Sequence, residues 1–304
     1  MYRPILKGLV LTLGGLLASA QSPAADQPAP VHMIVTVEAR NGASPPSLTD
    51  GDVIAKQGST RLRVTGLTAC QGENAAMELF LVLDDASSPA GWRLDDLRRF
   101  INSQPATASI GIGHMHNGMV ETTVKFTLDH ALAAQSLRLP LGAGAASPYL
   151  ALSDLIKHWQ GHADRREVVL ITSGIDPSGG NGSENPYLDT AIADAQREGI
   201  IVHTIYIPGL GGSSGTPYPL NSGQSFLEQL TSATGGKTFI PVSSRVDSLG
   251  PVLDELARIL EHQYRVTLLP KSGDKAGLKD VKLTIETPHA ALVYAKRMYV
   301  TDGR

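Results

Sequence analysis

The chain has 304 residues, a formal net charge of -3 and a hydrophobic content of 42%. That balance gives no electrostatic reason to expect a nucleic-acid partner, and it argues for a packed globule over a disordered chain. A single cysteine, Cys70, excludes an internal disulfide framework and reads as a small buried hydrophobe.

Residues 1–20 predict a signal peptide. Arg3 and Lys7 make the start basic, residues 8–18 form an apolar run, and Ala18-Ser19-Ala20 is a cleavage signal. The run is shorter than the ~20 residues of a spanning helix, so the mature chain is expected to be exported, periplasmic or extracellular, with no transmembrane span. Cys70 is far from the cleavage point, so a lipid-modified start is not indicated. Residues 21–30 follow as a linker, rich in Pro and Ala from residue 24.

The segment 31–75 reads as β. Val31, Met33, Val35 and Val37 alternate with polar residues, Asn41-Gly42 marks a turn, and strands are predicted at 52–56 and 61–68. From 76 to 262 the texture is α/β. The apolar run Leu79 to Leu83, ending on Asp84, suits a strand covered on both faces. A helix is predicted at 92–103, strands at 109–114 and 120–126, a helix at 149–159, and a buried strand at 168–172. There follow a helix at 188–197, a strand at 200–207, a helix at 226–231, a short strand at 237–242 and an amphipathic helix at 246–261. From 263 to 304 the pattern returns to β, with strands at 264–269, 279–286 and 292–300. Neither flanking segment holds enough strands for a stable sheet alone. The expectation is a mostly parallel sheet with helices on both faces, inserted between segments 31–75 and 263–304, which pair into a small β-sandwich.

The run Leu81-Val82-Leu83-Asp84-Asp85-Ala86-Ser87-Ser88 resembles the first strand and the D-x-S-x-S metal motif of von Willebrand factor A domains. Val168-Val169-Leu170-Ile171-Thr172-Ser173-Gly174 is similar to the fourth-strand motif, an apolar run ending T-D-G. Residues 200–206, Gly223-Gln224, Leu227, Thr234-Gly235-Gly236 and Gln263-Tyr264 then follow the order of exported VWFA-related proteins of acidobacteria. Leu48-Thr49-Asp50 and the stretch to Gly58 resemble that family's N-terminal β segment. The resemblance implies a six-stranded Rossmann-like domain with a β appendage and no catalytic activity.

It also implies a metal-ion-dependent adhesion site, which here is degenerate. In one register Asp84 and Ser88 match while Ala86 stands where a serine belongs; in the next, Asp85 and Ser87 match and Pro89 fails. Ser147 takes the place of a threonine and Ser173 that of an aspartate. Asp84, Ser88 and Ser147 are thus the metal candidates, with Asp85 and Asp176 close enough to substitute from altered positions. Magnesium demands near-octahedral oxygen ligation and dehydrates reluctantly, so Mg²⁺ or Mn²⁺ is expected to bind weakly if at all, and no other cofactor is implied. Asp84 and Ser88 capping the next helix is the competing role.

Ligands of open α/β sheets bind outside the carboxyl ends of the strands. The Gly/Ser/Asn/Pro-rich loops 173–186 and 208–224 are placed there, and the candidate contact set is Asp84, Asp85, Ser87, Ser88, Ser147, Ser173, Asp176, Tyr187 and Tyr218. Gly211-Gly212-Ser213-Ser214-Gly215 matches the G-x-S-x-G of a nucleophile elbow, without the immediate strand-turn-helix setting that motif needs. His114 with His116, and His158 with His162 at helical spacing, lack a visible third metal ligand; the second pair suits a helix C-terminus. Arg93, Arg98 and Arg99 with Asp95 and Asp96 read as a solvated mixed-charge face. The reading that follows is a non-catalytic binding module for a protein or peptide partner. A structural subunit of an envelope assembly and a serine hydrolase are the alternatives. Oligomeric state is not legible.

Overall fold

The computed structural model describes residues 29–39, 44–87, 92–142, 146–179, 184–207, 218–241 and 248–301, without the side chains of 218–221. The expected leader, Ser88 and the Gly/Ser motif at 211–215 lie outside the described residues.

Three strands come first: β1 (Val31–Ala39), β2 (Val53–Gln57) and β3 (Thr60–Ala69). The α/β segment then runs through β4 (Met77–Asp84), α1 (Leu94–Ser103), β5 (Ala108–His116), β6 (Met119–Thr127) and α2 (His130–Gln135). It continues with α3 (Pro148–Lys157), β7 (Arg166–Thr172), α4 (Pro186–Glu198), β8 (Ile200–Tyr206), α5 (Tyr218–Thr234), β9 (Thr238–Phe239) and α6 (Gly250–Glu261). The chain returns to β through β10 (Gln263–Leu269), β11 (Gly277–Asp280), β12 (Lys282–Ile285), β13 (Ala290–Tyr294) and β14 (Arg297–Val300).

Every residue of β4 is buried, as its unbroken apolar run requires. It lies in a six-stranded sheet ordered β6-β5-β4-β7-β8-β9. The pairings β4 with β5, β4 with β7, β7 with β8 and β8 with β9 are parallel, and β6 joins as an antiparallel edge. Leu79, Leu81 and Leu83 face a core shared with α1, α2 and α6. Phe80 and Val82 face the opposite core, closed by α3, α4 and α5. Each such side chain withdrawn from water contributes about 1.5–3 kcal/mol, which fixes the strand at the centre of the sheet. The six-stranded α/β sheet with helices on both faces is therefore present as expected.

One element of this half was not anticipated, and another starts earlier than the helix expected at 226–231. The short helix α2 was missed because its stretch, HALAAQ, is too short for a helical period to show. Helix α5 begins at Tyr218, so the second half of the expected loop 208–224 is helical. One charged pattern also changes meaning. Asp96, read as part of a solvated face, accepts from Ser248 Oγ at 2.8 Å, from Leu249 N–H at 2.7 Å and from Gly250 N–H at 3.2 Å. It caps the N-terminus of α6 from α1, satisfying donors a helix start leaves free. Arg98 with Asp95, at 2.8 Å, keeps the solvent-facing role.

The flanking segments pair with one another as expected, but in a different arrangement from two facing sheets. Their strands form one antiparallel sheet ordered β12-β2-β3-β10-β1-β13, with β11 and β14 as a separate two-stranded ribbon. Consecutive strands β12 and β13 stand at its two ends, so the sheet nearly closes on itself around Val35, Val37, Ala55, Val266 and Leu268. The cause is a break in each of the last two predicted strands. Val281 and Lys296 leave the ladders together, Val281 N–H donating to Lys296 O at 3.0 Å, and each long strand becomes two short ones in different sheets.

The junction of the halves is polar and specific. Arg165 Nη2 donates to Leu260 O at 2.7 Å at the end of α6. Ile34, Cys70 and Ile201 form a small apolar contact beside it, which gives Cys70 the buried role expected of it. Gly235 closes α5 with φ +84°, and an added Cβ would fall 2.6 Å from the backbone nitrogen of Ala295. Both the left-handed conformation and the close approach require glycine. Gly235→Ala is expected to destabilise the protein by about 2 kcal/mol or more, read from the midpoint shift in urea unfolding.

Candidate functional site

Numbered within the α/β sheet alone, the strand order is 3-2-1-4-5-6, and it reverses between β4 and β7. The crevice outside the carboxyl ends of those two strands is where doubly wound sheets bind ligands. Asp84 ends β4 and Thr172 ends β7, so the candidate site stands on this switch point.

The side chains gathered there bond to one another. Asp84 is 1% exposed. Its Oδ2 accepts from Thr172 Oγ1 at 2.7 Å and its Oδ1 from Ala86 N–H at 2.9 Å. Thr172 Oγ1 in turn accepts from Gly174 N–H at 3.2 Å. Ser87 Oγ donates to Asp84 O at 2.6 Å and accepts from Trp92 Nε1–H at 2.7 Å. Asp84 thus closes a turn onto Ala86 and does not cap α1, whose N-cap position is Arg93. Burial pushes the Asp84 carboxyl up from its ordinary value, against the lowering effect of the Thr172 and Ala86 donors.

Asp85 points elsewhere. Both of its carboxylate oxygens accept from Arg138, Nη1 to Oδ1 and Nη2 to Oδ2, each at 2.7 Å. Its backbone N–H donates to Met115 O and its carbonyl accepts from Gly142 N–H at 2.9 Å. Residues 138–142 are therefore tied to Asp85 at both ends, and between the ties Leu139 and Leu141 stand 47% and 64% exposed. Leu150, 38% exposed, packs on Gly118 at the β5–β6 turn. These side chains were absent from the expected contact set, because nothing in the sequence marks them as outward-facing.

Among the described residues the remaining candidates are buried or half-buried. Ser147 precedes α3 without capping it, and its hydroxyl meets that of Ser178 at 2.6 Å. Ser173 Oγ receives a long 3.4 Å contact from Ile175 N–H. Asp176 accepts from Ser178 N–H and from Asn185 Nδ2, both at 3.0 Å, and Asn185 Oδ1 caps α4. Asp176 thus braces loop and helix. Tyr187 is half-buried against the α3–α4–α5 core, which corrects its expected role as free recognition area. The side chain of Tyr218 lies outside the described residues. Ser147, Ser173, Asp176 and Asn185 are all buried.

His114 is buried with Nδ1 on Thr123 Oγ1 at 3.0 Å, and burial first, then the nearby Arg138 charge, pushes it down from its ordinary value. His158 sits at the C-cap of α3, where its dipole role was expected, whereas His162 lies beyond that helix and shares no helical face with it. Among the described residues no three His, Cys, Asp or Glu side chains gather as a metal site.

No family model and no curated protein matches the chain. Solved structures similar to it include a mutant of the PilB minor pilin from Streptococcus sanguinis, at TM-score 0.45 and 14% identity, covering 62% of each chain. The SpRpn10 VWA domain follows at TM-score 0.43 and 12% identity, with 61% of this chain and 97% of that one covered. The vWF domain of the type V pili tip protein Mfa5 from Porphyromonas gingivalis stands at TM-score 0.42 and 12% identity, covering 60% and 94%. The chain spans 62% of the length of the minor pilin. At such identities the likeness concerns the chain trace and not the chemistry of the site.

A carboxyl whose native affinity for a proton is raised adds stability below its unfolded value near 3.8, and loses it as pH rises through the higher native value. Asp84→Asn is uncharged throughout. Urea unfolding between pH 3.5 and 7 is expected to show the variant gaining on the natural protein as pH rises. A loss that grows with pH would contradict the burial argument.

Proposed function

We propose that the chain is an exported, non-catalytic binding module of von Willebrand factor A type, which holds a protein or peptide partner on the face at the carboxyl ends of its parallel strands. The observation that carries this reading is the segment 138–142, anchored at both ends to Asp85 and presenting Leu139 and Leu141 to solvent. Exposed apolar side chains held on a rigid support are the composition of a contact surface, and their location beside a topological switch point is where such folds bind.

The same geometry supports a module that works without a strongly held metal. A hard dication needs several free oxygen ligands. Here both Asp84 oxygens already hold protein donors, Ser87 is engaged by Trp92, and the Asp85 charge is answered by Arg138, a fixed cation that would repel a second one. These engagements support the reading that magnesium is not strongly held. In the absence of a metal, affinity has to come from apolar contact and hydrogen bonding at the rim. Cleavage of residues 1–20 and release beyond the inner membrane belong to this proposal. Among the described residues no helix is long and apolar enough to cross a membrane.

Two measurements test the reading. Calorimetric titration with Mg²⁺ or Mn²⁺ is expected to give no saturable heat; tight binding abolished by Asp84→Ala would overturn the metal-free account. Crosslinking in the native cells, followed by capture with purified chain, is expected to recover a partner whose retention drops at least about tenfold in the double variant Leu139→Asp, Leu141→Asp, as loss of two buried apolar anchors dictates. Undiminished capture would move the contact away from this face, toward the structural-subunit alternative. Covalent reaction with a serine-directed probe, lost in Ser213→Ala, would replace the whole reading by a hydrolase.

A further inference from the structure

A groove of about 460 Å³ lies at the opposite end of the sheet, between the two halves of the molecule, independent of the carboxyl-end face. One wall is the first half of β1, residues Val31 to Ile34. The other includes the start of β8, the end of α4 and residues of β14.

The β1 wall is an unfinished ladder. On one edge β1 pairs with β10 from Val31↔Leu268 to Thr36↔Gln263. On its other edge β13 pairs only with the second half, from Val35↔Tyr294 to Ala39↔Ala290. Beyond Tyr294 the chain turns aside, because Ala295 bridges Thr234 and Lys296 N–H donates to Ala233 O at 3.1 Å. Val37 N–H donates to His262 O on the β10 side, so alternation along the strand directs the backbone N–H and C=O of His32 to the open edge. Among the described residues no strand pairs with that edge of residues 31–34.

The charges around the gap are unequal. Arg166, Arg197 and Arg297 line it against Asp164 and Glu198. Both carboxylates are engaged, Asp164 by Arg265 at 2.6 Å and Glu198 by Arg166 at 3.4 Å, while Arg197 is held by Asp194 at 3.0 Å. Arg297 has no ion pair among the described residues. The groove thus combines a free strand edge of four residues, ~13 Å long, with an unanswered guanidinium.

We propose that this groove receives an extended, acidic segment of a partner protein, which adds as a strand to the open half of β1 and sets a carboxylate against Arg297. Main-chain bonds to the edge supply affinity and the charge supplies selection. Fluorescence anisotropy with labelled Val-Glu-Val-Glu-Val and Val-Lys-Val-Lys-Val peptides tests it on the purified chain. The expected result is saturable binding of the glutamate peptide at least about tenfold tighter than the lysine peptide. Arg297→Glu should reverse that preference. His32→Pro, which removes a donor from an edge position that tolerates proline, should abolish binding while the melting temperature stays near that of the natural chain. Absence of binding, equal binding of the two peptides, or binding indifferent to Arg297→Glu would overturn the proposal. So would a concentration-dependent dimer lost in His32→Pro, which would put a second copy in the gap.

Discussion

A strand that is apolar on both faces is stable only where both faces are roofed, and β4 imposes that condition on everything around it. Its eight residues are buried from end to end. Helices α1, α2 and α6 must therefore close one side and α3, α4 and α5 the other, and parallel neighbours β5 and β7 must flank it. The burial extends to the last residue, Asp84. A carboxyl there has little water, so its acceptors have to be met by the protein itself.

That requirement shapes the site. Thr172, at the end of the neighbouring strand, supplies a hydroxyl donor across the switch point, and Ala86 supplies a backbone N–H. The side chains around Asp84 form a set of mutual hydrogen bonds. The adjacent Asp85 resolves the same difficulty through Arg138, and in doing so pins the segment that carries Leu139 and Leu141. The demand for buried polar satisfaction and the display of apolar side chains at the surface thus have one origin.

The β half depends on the α/β half in a comparable way. Its strands come from segments 31–69 and 263–300, on either side of the α/β part, and pair across it. Arg165 on Leu260 O, the Cys70–Ile34–Ile201 contact and the close approach at Gly235 then fix how the halves meet. The diversion of Ala295 and Lys296 toward α5 strengthens that junction and at the same time leaves half of β1 without a neighbour.

The sequence by itself determined the elements whose signal is local: the apolar runs of β4, β7 and β8, the amphipathic period of α6, and the alternation of β1. Each is a repeated burial pattern within a few residues, and so is the change from β to α/β texture near residue 76. It also placed Asp84 at a strand end on the carboxyl-end side of the sheet. Only the tertiary structure decided who answers that carboxylate, because Thr172 lies 88 residues away along the chain. It decided likewise that Asp96 caps α6, that Tyr187 is packing and not display, and that two predicted strands break at Val281 and Lys296 to give one nearly closed sheet. These outcomes rest on pairings between distant segments, where a donor is chosen by proximity in space and leaves no period in the sequence to be read.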